Sequence, residues 1–398
     1  MTYSTPLIDR EILFGNPVIA GAQISPDGKW ISFIKPLDGT MNIWVKPIDG
    51  AFEHALPITN DQTRPVSSYF WSRDSRYILY VQDKGGDENF HLYRVDPSAA
   101  GPDNIPPAHD LSDHDNVRAY IYHLPHGDHG SIYLGINDRD PAWHDCYKVD
   151  IQSGERTLLH ENAEKLSGFH FDLKGRLRLC SRSTPDGGSE ILKLTEQGLE
   201  KILEANLEES ESPLRFSKDG KVYLISNVGD PDLMGLCTYD LDTGEKTLIE
   251  SDPEDEVDLT NASFSRKTQE LIATIYTGDK KRIYWKDASL EQDYLRLKKE
   301  FHDAEIAITS TTEDERIFLF YVNADTDPGS CYLYERDTGR IEHLYTPRPD
   351  LPTEHLVPMT PVRYTSRDGL EIPGYLSLPR LEQTTKLPAV LFLSLIHI

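Results

Sequence analysis

Ser25-Pro26-Asp27-Gly28-Lys29-Trp30-Ile31-Ser32-Phe33-Ile34 is a polar turn that runs straight into an aromatic and β-branched stretch. Pro, Asp and Gly suit a tight turn, and the residues after it suit a buried strand. The pattern returns at Ser72-Arg73-Asp74-Ser75-Arg76-Tyr77-Ile78-Leu79-Tyr80 and at Ser217-Lys218-Asp219-Gly220-Lys221-Val222-Tyr223-Leu224-Ile225. Weaker copies begin at Asp172, Ser265 and Thr312.

A second mark follows each turn after about 20 residues: an aromatic-rich strand that ends in Asp and often Gly. Ile43-Trp44-Val45-Lys46-Pro47-Ile48-Asp49-Gly50, Tyr239-Asp240-Leu241-Asp242-Thr243-Gly244 and Tyr334-Glu335-Arg336-Asp337-Thr338-Gly339 are examples. Together the two marks define seven units of roughly 47 residues, beginning near residues 18, 65, 115, 165, 210, 257 and 304. Four short strands at that period are the signature of a propeller blade. The third unit lacks the turn motif, and Leu124-Pro125-His126-Gly127-Asp128-His129-Gly130 is expected to replace it. Helical pattern is confined to Leu7–Phe14 and Glu291–Glu300, which argues against a helical solenoid. The expected fold is all-β: a seven-bladed β-propeller over residues 18–346, preceded by a segment at 1–17.

Beyond the last unit the texture changes. Residues 347–360 form a proline-rich linker starting Pro347-Arg348-Pro349. The next stretch, from Pro361 to Pro379, reads as two strands joined at Arg367-Asp368-Gly369, a hairpin signal. Leu387-Pro388-Ala389-Val390-Leu391-Phe392 is apolar throughout, as the central strand of an α/β sheet would be. Residues 361–392 are therefore expected to open a second domain.

A propeller, a proline-rich linker and then Tyr364-Thr365-Ser366-Arg367-Asp368-Gly369-Leu370-Glu371-Ile372-Pro373-Gly374-Tyr375-Leu376 resemble the prolyl oligopeptidase family of serine peptidases. The likeness is to its dipeptidyl-aminopeptidase and acylaminoacyl-peptidase branch, and it runs from about Pro6 to Phe392. Its most specific parts are Asp83-Lys84-Gly85-Gly86-Asp87-Glu88-Asn89 and the hairpin around Arg367. The resemblance implies an α/β-hydrolase domain that carries serine, aspartate and histidine in that chain order, with the serine on a G-x-S-x-G elbow. No G-x-S-x-G occurs in this sequence, so no catalytic residue is assigned. The ending Leu393-Ser394-Leu395-Ile396-His397-Ile398 departs from the oxyanion loop that the resemblance implies there. Residues 393–398 are expected to be a non-native tail on a truncated α/β-hydrolase domain.

The formal charge of −25 sets nucleic acid aside as a partner, because phosphate binding needs a basic surface. No apolar run approaches a membrane span, and Met1–Arg10 lacks a basic region followed by an apolar one. Cys146, Cys180, Cys237 and Cys331 lie far apart without a CxxC pair, as buried thiols in a reducing compartment would. A cytoplasmic location is expected. His109, His114, His123, His126 and His129 cluster in sequence, but no helix fixes their geometry, and they read as loop histidines. In Asn323-Ala324-Asp325-Thr326-Asp327-Pro328-Gly329, Pro328 stands where a calcium loop needs Gly. Neither a metal nor a cofactor is expected.

Strand parity assigns the remaining charges. A chain that enters a four-stranded blade at its inner strand leaves from the face it entered, and the loop joining strands two and three lies on that same face. These loops hold Asp38, Asp83, Asp87, Glu88, Asp138, Asp140, Asp186, Asp230, Asp232, Asp279, Asp325 and Asp327. Asp is a common turn former, which accounts for many of them. The sharper reading is an acidic rim that attracts peptides with a free, positive N-terminus, with Asp87 and Glu88 as the candidate recognition residues. The expected function is that of a substrate-gating propeller from a peptidase of short peptides, inactive alone, with the missing α/β-hydrolase domain as its partner. A standalone propeller scaffold for protein binding is the alternative, although a scaffold has no use for the opening strands of a hydrolase sheet.

Overall fold

A computed structural model describes residues 7–114, 116–229, 232–380 and 387–392. The repeated turn works through a buried hydroxyl. Ser25 Oγ donates to Asp27 Oδ1 at 2.7 Å and accepts from the backbone of Lys29 and Trp30. Ser25 itself is fully buried, so its own donor and acceptor needs are met inside the turn. Gly28 sits at φ +73°, the left-handed conformation that closes the turn without a Cβ clash. Ser72 with Asp74 and Thr312 with Asp314 repeat the arrangement, each at 2.6 Å.

Seven antiparallel sheets follow one another around a ring, spanning 20–57, 69–110, 119–160, 168–205, 211–250, 259–285 and 305–345. Each begins at its inner strand. The first strands of neighbouring blades touch, whereas outer strands such as Arg156–His160 and Lys246–Glu250 are largely exposed. Six sheets have four strands, and the sixth blade has three. There helix α2 (Ala288–Glu300) replaces the outer strand, capped by Asp287 and burying Leu290 and Leu297. A short helix α1 (Arg10–Phe14) precedes the ring. The core is a series of apolar clusters between blades. Ile78, Leu79, Leu92, Ile132, Leu134 and Phe33 are each fully buried.

Blade one is built wholly from the start of the chain and blade seven from its end, so side-chain packing and hydrogen bonds alone close the ring. Ile24 N donates to Ser310 Oγ at 3.1 Å, Glu313 N to Pro26 O at 2.8 Å, and Ala22, Ile31 and Phe33 pack with Leu319 and Leu333. The segment before the ring is tied to the residues after it. Val18 N donates to Pro347 O at 2.9 Å, and Arg348 reaches the carbonyls of Ile12 (3.0 Å) and Gly15 (2.8 Å). Pro347 and Arg348, expected to start a linker, thus act as a clasp on the ring.

Met359–Thr365 and Glu371–Ser377 pair as a two-stranded hairpin. Its turn is the repeated motif once more, with Ser366 Oγ bonded to Asp368. The expected third strand is absent: Leu387–Phe392 forms no strand, and Val390 is 96% exposed. A strand needs a neighbour to satisfy its backbone, and none lies alongside among the described residues. The expectation about residues 393–398 lies outside the described residues.

Candidate functional site

The ring has two faces. The Ser-Pro-Asp-Gly-type turns lie on one, the turn face. Loops between second and third strands lie on the other, the loop face, where the chain also leaves the ring. The trailing hairpin rests on the loop face. Arg363 Nη2 meets Asp279 Oδ1 at 2.7 Å, Tyr375 Oη donates to Asp279 O at 2.7 Å, and Met359 N donates to Asp325 Oδ2 at 2.7 Å. Asp279 and Asp325 belong to the equivalent loops of blades six and seven.

The second blade presents Asp87 and Glu88 between strands Ile78–Gln82 and His91–Val95. Asp87 is exposed and turned into its own loop: it accepts from Lys84 N (3.2 Å), Asn89 N (3.1 Å) and Asn89 Nδ2 (3.4 Å). Desolvation is the largest single influence and opposes these bonds, but together the bonds outweigh it and hold the carboxyl below its ordinary range. Glu88 adopts φ +60°, and its backbone N–H donates to Asp83 Oδ2 at 3.2 Å. Asp83 is buried, and its two oxygens receive the guanidinium of Arg64 at 3.0 and 3.2 Å. A bidentate ion pair, buried on its carboxylate side and open to solvent at Arg64, therefore anchors the loop from below. Glu88, unlike Asp87, keeps an exposed carboxylate with no hydrogen-bond partner among the described residues.

Most other members of the expected acidic rim are engaged locally. Asp138 takes the Tyr147 hydroxyl at 3.0 Å, Asp140 caps Ala142 N, Asp186 binds Thr184 Oγ1, and Asp327 caps Gly329 N. Asp230 lies outside the described residues. These carboxylates are bound within their own hairpins.

The clustered histidines divide between environments. His129 Nε2 lies 2.9 Å from the His126 carbonyl, within one loop. His123 stacks on Phe171, and burial, reinforced by Arg73, pushes its pKa down to about 4. All four cysteines are buried as free thiols, and burial pushes Cys146, Cys180 and Cys331 up to about 12. Thiols so suppressed are not nucleophiles at neutral pH.

A ring of seven antiparallel blades with a hairpin seated on its exit face defines the class: a seven-bladed β-propeller. No protein-family model matches the chain. Dipeptidyl aminopeptidase BIII of Pseudoxanthomonas mexicana is 34% identical over 379 residues, covering 94% of this chain and 54% of the relative. Dipeptidyl peptidase family member 6 of Caenorhabditis elegans is 25% identical over 395 residues, covering 95% of this chain and 52% of the relative. Among solved structures, prolyl oligopeptidase B from Galerina marginata superposes with a TM-score of 0.62 at 14% identity, covering 93% of this chain and 57% of that one. A puromycin-hydrolyzing peptidase of Mycobacterium tuberculosis gives 0.60 at 14% identity, over 95% and 61%. At those identities the structures speak for the fold. The chain is homologous to the propeller region of the prolyl oligopeptidase and dipeptidyl aminopeptidase family, and spans about half the length of the curated relatives it matches.

Proposed function

We propose that the chain is the substrate-gating propeller of a cytoplasmic serine peptidase that acts on short peptides, and that it hydrolyses nothing alone. The observation that carries this reading is the 34% identity to a dipeptidyl aminopeptidase across 94% of the chain. Two features support it. The trailing hairpin packs on the loop face through Asp279 and Asp325, where a following domain would sit. The sequence holds no G-x-S-x-G, so the activated nucleophile and oxyanion donors must come from elsewhere. Free, buried thiols agree with a reducing compartment.

Within this reading the loop of blade two meets substrate. Asp87 holds the loop's shape, and Glu88 offers a carboxylate to the α-ammonium of a bound peptide. A charge-assisted bond of this kind, shielded from water by the opposing domain, is worth about 1.5–3 kcal/mol. The test joins the chain to an α/β-hydrolase domain and compares peptides with free and blocked N-termini. Glu88→Gln is expected to lower kcat/KM about 10–100-fold on the free-amine peptide only, and Asp87→Asn to lower both equally. Equal losses from Glu88→Gln on both peptides, or none, would remove Glu88 from recognition.

A further inference from the structure

In a chain of net charge −25, the turn-face mouth of the central channel is locally positive. A cavity of about 450 Å3 opens there, walled by the ends of the inner strands of blades three, four and five, by Phe264 of blade six, and by Arg73 of blade two. Arg215 also lines it and has no carboxylate partner among the described residues. Its Nη2 goes to Gln269 Oε1, its Nε approaches Phe216 O at 3.5 Å, and its guanidinium lies 4.5 Å over the Phe264 ring. Arg73 donates Nε to Leu124 O at 3.1 Å, and its nearest carboxylate, Glu313, stands 4.0 Å away, beyond hydrogen-bonding distance. Arg266 adds a third positive charge in reach of Arg73, with its side chain on Thr311 O at 3.5 Å.

The other nearby carboxylates are committed. Asp172 is held by Arg176 and Arg178 at 2.7 and 3.4 Å. Glu315 is buried against Ser265 Oγ and the Arg266 N–H. His123 Nε2 in the wall, and Glu313 Oε2 behind Arg73, are buried without a hydrogen bond among the described residues. Gln269 Nε2 approaches His126 Nδ1 at 3.5 Å as a donor, which leaves the single proton of the neutral ring on Nε2. Burial lowers the pKa of Arg73, Glu313 partly restores it, and Arg266 and Arg215 lower it further. Burial also lowers that of Arg215. Partly desolvated cations facing one another over a cavity are only partly compensated: Glu313 stands 4.0 Å from Arg73, and Arg215 has no carboxylate partner among the described residues.

We propose that this mouth is a binding site for a small oxyanion, held by Arg73 and Arg215 with His126 beside them. Guanidinium groups bind carboxylate and phosphate-like oxygens through paired N–H donors, and the aromatic wall keeps competing water away. Two sources share this chemistry: the C-terminal carboxylate of a short peptide, and a free inorganic oxyanion.

Titration calorimetry on the 398-residue chain at constant ionic strength, with sulfate as the probe, tests the site. Saturable binding is expected. Arg73→Gln and Arg215→Gln should each weaken it about 10-fold, while Arg340→Gln on the outer strand of blade seven leaves it unchanged. Glu313→Gln removes the opposing charge and should tighten binding several-fold, a gain that a folding defect cannot mimic. An N-acetylated tripeptide acid that displaces sulfate, when its amide does not, assigns the site to peptide carboxylates. Failure of both assigns it to a free oxyanion. Absence of saturable binding, full affinity in both arginine variants, unchanged or weaker binding in Glu313→Gln, or equal displacement by the amide overturns the proposal.

Discussion

On the turn face, hydrogen bonds pass from blade to blade. Asp27 N reaches Ser75 Oγ (3.0 Å), Arg73 reaches Leu124 O, Tyr133 Oη reaches Gly175 O (2.9 Å), and Glu315 takes Ser265 and Arg266. On the loop face, the bonds of Lys84–Asn89 close back on their own loop and others reach the trailing hairpin. Fewer side chains staple blade to blade there, as Lys281 Nζ does to Ile306 O at 2.8 Å, beside backbone links such as Ala119 N to Phe90 O at 2.8 Å. The two ends of the same strands therefore do different work. One end staples the ring, which covalent continuity leaves unclosed between blades one and seven. The other spends more of its bonds within single loops, such as that of Asp87, and on the trailing hairpin.

The contrast breaks or holds under mutation. Glu315 is buried and serves two donors in the neighbouring blade, so Glu315→Ala should cost about 2–3 kcal/mol by orphaning them, read as a lower denaturant midpoint at unchanged slope. Asp87→Ala, on the loop face, should leave that midpoint in place and raise amide exchange only across 83–90. Comparable midpoint losses from both substitutions would erase the distinction.

Acid sharpens it. His170, in the channel wall, is held near pKa 4 by burial and bonds Ser181 Oγ at 2.7 Å. Because the unfolded imidazole titrates near 6.5, the unfolded chain takes up a proton between pH 6.5 and 4 that the folded one refuses. Stability from this group is full above pH 6.5 and lost as pH falls toward 4, by roughly 2–3 kcal/mol. His170→Gln should flatten the stability profile by that amount across this window. An unchanged slope would show that the wall admits water and protons more freely than its burial implies.

The smallest effect concerns the junction. A chain ending at Leu351 retains the Arg348 clasp and should melt with the full-length chain while gaining solubility, since Val390, Leu391 and Phe392 are gone. One ending at Thr346 loses the bonds to Ile12, Gly15 and Val18 and should fall by about 1–2 kcal/mol. Equal melting of the two would mean that the clasp is not part of the ring's stability.

The ring was legible because blades one, two, five and seven repeat one physical solution, a Ser or Thr hydroxyl bonded to Asp two residues on, and repetition makes a short signal readable. Blade three was found by its spacing and by the second mark at Cys146-Tyr147-Lys148-Val149-Asp150, since residues 124–130 replace the turn motif, and the helix of blade six showed in the pattern at Glu291–Glu300. Parity also sufficed to place Asp87 and Glu88 on the exit face. Their difference was hidden: adjacent carboxylates look alike in sequence, but one caps its loop and the other is free. Arg73 and Arg215 were overlooked for a related reason. Arg73 sits inside a turn motif that already had a structural explanation, and what makes it unusual is the distance of any carboxylate, which only the closed ring fixes. The Leu387–Phe392 strand failed because propensity promised what pairing must supply.

The central claim is that this propeller gates chemistry performed by another domain. Its most direct test is to incubate the purified 398-residue chain with a dipeptidyl chromogenic substrate and, separately, with a fluorophosphonate probe. The account predicts no turnover above buffer and no covalent label; turnover abolished by stoichiometric labelling of a serine in this chain would contradict it.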